Sequence, residues 1–105
     1  MKRGEVWLVT LDPTVGTEIT KTRPCLIVSP DEMNRVLRRV IVAPLTSGSH
    51  PAPFRVASTL RGKPGLILLD QIRTVDRQRI VKRFGEVPDT TLKETLSVLN
   101  ALFTE

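Results

Sequence analysis

Residues 22–30 read TRPCLIVSP, and the reading of this stretch decides the fold. Cys25–Val28 is an unbroken apolar run, too short for a helix and set between two prolines, so it reads as a buried strand. Pro24 and a lone cation, Arg23, stand at its mouth. A residue before proline is pushed to an extended backbone, so Arg23 is kept out of any helix and its direction is restricted.

Working outward, Glu5–Leu11 (EVWLVTL) is rich in β-branched and aromatic residues and stops at Asp12-Pro13, a strand followed by a turn. Residues 12–22 (DPTVGTEITKT) lack periodicity and read as a loop, and a loop this long in a small domain is more often functional than idle. On the other side, PDEMNRV offers Asp31 as the cap of one short helical turn. RVIVAPL (Arg39–Leu45) is a third strand, whose Pro44 indicates an edge position or a bulge. After the loop Thr46–Pro53 come the short strand FRVA, the turn RGKPG, the apolar strand LILLD and the segment QIRTVD. RQRIVKRFGEV opens with a helical turn at Arg77–Arg79 and returns to strand. The last segment is helical: Asp89 follows Pro88 as an N-cap, and Leu92, Leu96, Leu99 and Phe103 form one apolar stripe. Many short strands with one terminal helix make an α+β domain, a small twisted barrel closed at one end by the helix. Residues 1–105 form a single domain, since the chain leaves little room for a second core.

Sixteen Lys and Arg against eleven Asp and Glu give a net charge of +5, which suits RNA, DNA or an acidic protein segment as partner. No apolar run is long enough to span a bilayer, and the start MKRGEVWLV turns into a strand pattern too early for a signal peptide, so a cytoplasmic protein is expected. One cysteine and one histidine, Cys25 and His50, exclude an internal disulfide and any site built on two histidines. Cys25 reads as inert packing, His50 as an exposed loop residue and Trp7 as core.

If the second and third strands are antiparallel neighbours, Arg23 and Thr46 meet at the same end of the sheet, beneath the 12–22 loop. An arginine fork with the hydroxyls of Thr46 and Ser47 suits a phosphate; an ordinary surface arginine and turn threonine are the alternative. Cleavage of an RNA phosphodiester requires a base for the 2′-hydroxyl, stabilisation of the pentacovalent phosphorane and protonation of the 5′-oxygen. Arg23 fits the second need, Thr46 can donate to a phosphoryl oxygen, and Glu18 is a candidate base or positioner. No closely spaced carboxylates suggest a two-metal site, so no metal or other cofactor is expected. Asp70, Gln71 and Arg73 follow an apolar strand and either contact substrate or pair with one another (Asp70 with Arg73). Asn34 is a candidate base reader, with turn chemistry as the alternative. The cationic run from Arg77 to Arg83 is a solvated face or a guide for a nucleic-acid backbone.

Taken in order, KRGEVWLVTLDPTVGTE, TRPCLIVSP, VAPLTS and LILLDQIRTVDRQRI followed by GEVP and a terminal helix resemble the MazF/PemK (Kid) family of toxin endoribonucleases across essentially the whole chain. The resemblance implies an SH3-like β-barrel of the CcdB/MazF type with a C-terminal α-helix, acting as a homodimer. It implies metal-independent cleavage of single-stranded RNA, usually messenger RNA, at short specific sequences, leaving a 2′,3′-cyclic phosphate and a 5′-hydroxyl. By position, Arg23 and Thr46 match the catalytic arginine and threonine and Glu18 an acidic residue near the site, while the first loop and the region of Asn34, Ser47 and Gln71 correspond to bound RNA. A cognate antitoxin with an acidic C-terminal segment is also implied.

Two positions depart from the plasmid-borne branch, where an arginine two residues before the aspartate of the DQ motif and a histidine in the first loop take part in catalysis. Here they are Leu68 and Thr17. The arginine–threonine version of the mechanism therefore fits better, with Asp70 as support. The rival readings are a gyrase-poisoning toxin on the same fold, relying on its terminal helix, and a non-catalytic nucleic-acid-binding barrel.

Overall fold

The computed structural model describes residues 1–105. Seven strands form one antiparallel sheet: β1 (Glu5–Thr10), β2 (Thr22–Ile27), β3 (Arg39–Thr46), β4 (Arg55–Leu60), β5 (Lys63–Leu68), β6 (Arg73–Asp76) and β7 (Ile80–Glu86). Helix α1 (Asp31–Val36) links β2 to β3, and α2 (Asp89–Leu102) ends the chain. The spatial order is β4-β5-β3-β2-β1-β7, with β6 also paired to β3.

Why TRPCLIVSP lacks alternation is now visible. Leu26 and Val28 belong to one core cluster with Ala43, Leu45, Val56 and Ile67, against which Leu92, Val98 and Leu99 of α2 pack. Cys25 and Ile27 face the other way, into a second cluster with Val9, Leu11, Val40, Val42 and Val75. A strand covered on both faces carries apolar residues at every position.

The sheet curls so that its two edges approach without a backbone ladder. The β4–β5 turn, with Arg61 and Gly62 at φ 52° and 76°, carries Arg61 to β7. There Arg61 Nε donates to the Phe84 carbonyl at 3.0 Å and its guanidinium lies 3.8 Å from the Phe84 ring centroid. The result is a curled half-barrel with a C-terminal helix, as the α+β reading expected.

Several local expectations are corrected. Pro44 lies in a central strand, buried, at the point where β3 changes neighbours from β6 (through Val42) to β5 (from Leu45). A missing N–H interrupts no continuous ladder there. Asp31 and Asp89 begin their helices and make no capping hydrogen bond from the side chain; the Asp31 carboxylate instead accepts from the Arg3 backbone N–H at 2.8 Å. Phe103 lies beyond α2 and is exposed, so the apolar stripe ends at Leu99 and is joined by fully buried Thr95, which hydrogen-bonds the Thr91 carbonyl. Strand β5 starts earlier than LILLD, and Leu69–Gln71 turns as a 3-10 segment. The helical turn at Arg77–Arg79 is present.

Candidate active site

Strands β2 and β3 are antiparallel, with Cys25 opposite Pro44, Leu26 opposite Ala43 and Ile27 opposite Val42. Arg23 and Thr46 lie just past the end of this ladder. Both line a cleft of about 170 Å³, together with Ser47, Ser58, Lys63 and an apolar floor that includes Leu45, Leu60 and Phe84. Arg23 is half-buried, and its Nε donates to the Thr20 carbonyl at 3.2 Å, fixing the stem while the terminal nitrogens keep their donors free of protein acceptors. Thr46 Oγ1 accepts from the Gly48 N–H at 3.2 Å, and its hydroxyl proton has no protein acceptor. Gly65 on β5 closes the cleft from the side: a Cβ there would stand 3.0 Å from the Thr46 carbonyl oxygen. The residue type is set by that close approach.

Glu18, Asp70, Gln71 and Arg73 do not join Arg23 and Thr46. They line a second, larger cleft of about 380 Å³ with Leu11, Thr17, Ile19 and Pro44. Most of its polar groups hold the first loop in place. Gln71 Oε1 accepts from the Ile19 N–H at 2.9 Å, Arg73 donates to the Leu11 carbonyl at 3.1 Å, and Glu18 Oε1 accepts from the Val15 N–H. The Glu18 carboxylate itself is exposed. Pro44 and Thr46, two residues apart on β3, divide the two clefts.

Asp70 pairs with Arg55, not with Arg73. Arg55 Nε donates to Oδ1 at 3.1 Å and a terminal nitrogen to Oδ2 at 3.0 Å, a two-pronged contact. The other terminal nitrogen donates to the His50 carbonyl at 3.0 Å, so one arginine ties the β3–β4 loop to the DQ turn. Hydrogen bonds from Arg55 hold the Asp70 carboxyl below its usual value despite partial burial. Leu68 is fully buried, and Arg55, its cross-strand partner on β4, is the cation that meets Asp70. The sequence shows an arginine after Phe54 but nothing to say which carboxylate, fifteen residues on, it would meet. Ser58 and Lys63, which line the smaller cleft, and Arg55, which holds Asp70 of the larger one, are the residues that sequence reasoning missed.

Asn34 lies in neither cleft. It is 3% exposed; its Oδ1 accepts from Ser29 Oγ at 2.6 Å and its Nδ2 donates to the Ser29 carbonyl at 3.0 Å. Its amide is engaged in the α1 turn and presents no edge to a base. In the Arg77–Arg83 run, Lys82 and Arg83 are exposed, Lys82 without a partner, whereas the other two cations turn onto the backbone. Arg77 donates to the Leu37 and Asn34 carbonyls, Arg79 to those of Thr10 and Asp12, and Arg83 pairs with Glu5 and Glu86. His50 is exposed, and Trp7 is half-buried against the second core cluster. Cys25 is buried, and burial pushes its thiol up to about 12. No three His, Cys, Asp or Glu side chains converge as a metal-ligand set, and no helix is long and apolar enough to cross a membrane.

Comparison with known proteins places this geometry in context. Residues 2–103 match the family described as PemK-like, MazF-like toxin of type II toxin–antitoxin systems. The chain is 44% identical over 110 residues to the endoribonuclease PemK of Escherichia coli, covering 99% of this chain and 83% of the relative. Among solved structures, MazF of Deinococcus radiodurans superposes with a TM-score of 0.86 at 30% identity, over 97% of this chain and 94% of that one. A mycobacterial endoribonuclease in complex with its cognate antitoxin gives 0.81 at 25% identity, over 96% and 92% of the two chains.

Proposed function

We propose, from the premise that this chain belongs to the PemK-like, MazF-like toxins of type II toxin–antitoxin systems, that it is an endoribonuclease cutting single-stranded RNA at short specific sequences. The observation that carries the reading is that Arg23 and Thr46 line one cleft, just past the end of the β2–β3 ladder at Cys25 and Pro44. An arginine with its terminal nitrogens free of protein partners, beside a hydroxyl whose proton has no protein acceptor, supports a site with two donors available to a phosphate.

The chemistry follows from those donors. The scissile phosphate lies between Arg23 and Thr46, whose N–H and O–H groups stabilise the additional charge of the pentacovalent phosphorane. A guanidinium is a poor base, so the 2′-hydroxyl proton needs a second group; Glu18 of the first loop, which lines the neighbouring cleft, is the candidate base or positioner once RNA is bound. The 2′-oxygen gives up its proton and attacks phosphorus, the bond to the 5′-oxygen breaks, and that oxygen takes a proton from solvent water while the Arg23 guanidinium hydrogen-bonds to it. The ends are a 2′,3′-cyclic phosphate and a 5′-hydroxyl, and no step calls for a metal. Asp70 stays a carboxylate bound to Arg55 and supports the loop. Ser47, Gln71 and Arg73 are left as RNA contacts, and Asn34 is left out of that set on account of its burial.

A cytoplasmic homodimer held inactive by a cognate antitoxin completes the proposal. The chain's +5 charge supports an antitoxin whose acidic segment competes for the cations that attract phosphate. The test is incubation of the pure protein with mixed-sequence RNA in excess chelator, with mapping of the cut ends. Sequence-restricted cleavage leaving 5′-hydroxyl ends is expected. Activity abolished by chelator, or unchanged in both Arg23→Ala and Thr46→Ala, would overturn the mechanism.

A further inference from the structure

Ser58 Oγ is the one buried side-chain polar atom in the protein that has no hydrogen-bond partner. A buried hydroxyl without a partner is unfavourable, and such groups call for an explanation. Ser58 lines the same cleft as Arg23 and Thr46. So does Lys63, exposed and free of any ion pair, held by the tight turn that Arg61 pins to β7. None of the eleven residues around this cleft is acidic, and its floor is apolar, formed by Pro24, Pro64 and Phe84 among others. Arg61 stacks on the Phe84 ring, 3.8 Å from its centroid.

We propose that the part of this cleft beyond Arg23 and Thr46 takes the nucleotide next to the scissile phosphate, with Lys63 on that nucleotide's flanking phosphate and Ser58 Oγ hydrogen-bonded to its base or ribose. The proposal rests on the reading of Arg23 and Thr46 as the scissile-phosphate site. A nucleotide joins an anion to a flat, largely apolar body, which is the combination the cleft presents in reverse. An acidic peptide would match the cations and leave the apolar floor and the Ser58 hydroxyl unfilled.

The test uses an RNA oligonucleotide built around a mapped cut site, with 2′-deoxyribose at the cleaved nucleotide so that binding is measured without cleavage. Lys63→Gln sits in an exposed turn and is expected to fold. It should weaken binding about tenfold and reduce the slope of log Kd against log salt by about 0.7, one phosphate contact on a single strand. Trimming the RNA at one end should cost the wild type about as much and cost Lys63→Gln little, and the end that does so gives the strand polarity. Ser58→Ala should alter the nucleotide preferred at that position when cut ends are mapped across a mixed RNA pool. Unchanged affinity and salt slope in Lys63→Gln, with unchanged preference in Ser58→Ala, would overturn the subsite. So would lost binding of a glutamate-rich peptide with RNA binding intact, which would give the cleft to an acidic partner. Arg23→Ala cleavage is run alongside: if it retains full activity, the underlying catalytic reading fails, whereas its loss beside a silent Lys63→Gln removes the subsite alone.

Discussion

Two clefts flank the end of β3, and they are built on opposite principles. The smaller has cations, hydroxyls and no carboxylate, and the Arg23 terminal nitrogens, Lys63 and Ser58 Oγ have no protein partner. The larger holds both carboxylates, Glu18 and Asp70, yet its polar groups mostly face inward, onto the backbone of the first loop or onto Arg55. Polar residues near a site thus divide into those left unsatisfied by the fold, which await a ligand, and those already satisfied, which give the site its shape. Counting charges along the sequence cannot separate the two kinds.

The sharpest way to break this division is Arg23→Ala. Cleavage should fall by about 10³ or more, the scale of losing a principal transition-state donor, while the thermal midpoint scarcely moves, since the side chain makes a single hydrogen bond to a loop carbonyl. Initial rates and a melt monitored by circular dichroism test both halves. Glu18→Gln should lower kcat about 10² -fold if it supplies the base; an unchanged kcat would confine the larger cleft to shaping.

Gly65→Ala affects the wall between β5 and β3. The added methyl meets the Thr46 backbone, which is held in a ladder, so a loss of about 1–2 kcal/mol in urea unfolding is expected, with reduced activity. Asp70→Asn acts on the larger cleft and gives a pH signature. The folded-state pKa of Asp70 is lowered, so the pair contributes stability above the ordinary carboxylate value and loses it as the pH falls below about 4 toward the lowered value. Urea midpoints across that window should fall less steeply in Asp70→Asn than in the wild type. The smallest effect concerns Cys25, which packs with Leu11 and Ile19 beneath the larger cleft. With its thiol pushed up to about 12 by burial, alkylation at pH 8 should be negligible in the native protein and rapid in urea. Fast native labelling would show that the first loop opens.

TRPCLIVSP, the terminal amphipathic helix and the turn at Arg77–Arg79 were legible in the sequence, because local propensity and apolar pattern point the same way there. Pro44 misled, because the sequence cannot show that β3 exchanges one neighbour for another at that residue. The capping roles of Asp31 and Asp89 misled because each helix begins one residue earlier than a capping aspartate would set it: Pro30 and Pro88 take the cap positions, the aspartates become the first helical residues, and Asp31 accepts from the Arg3 backbone N–H.

By itself, the sequence determined that Arg23 stands extended at the entrance of a buried strand, since proline geometry and an unbroken apolar run are local facts. The tertiary structure alone put Arg23 and Thr46 on one cleft, Glu18 and Asp70 on another, and Arg55 against Asp70. Those outcomes depend on strand register and sheet curl, which bring together residues distant in the chain and which no short window of sequence encodes.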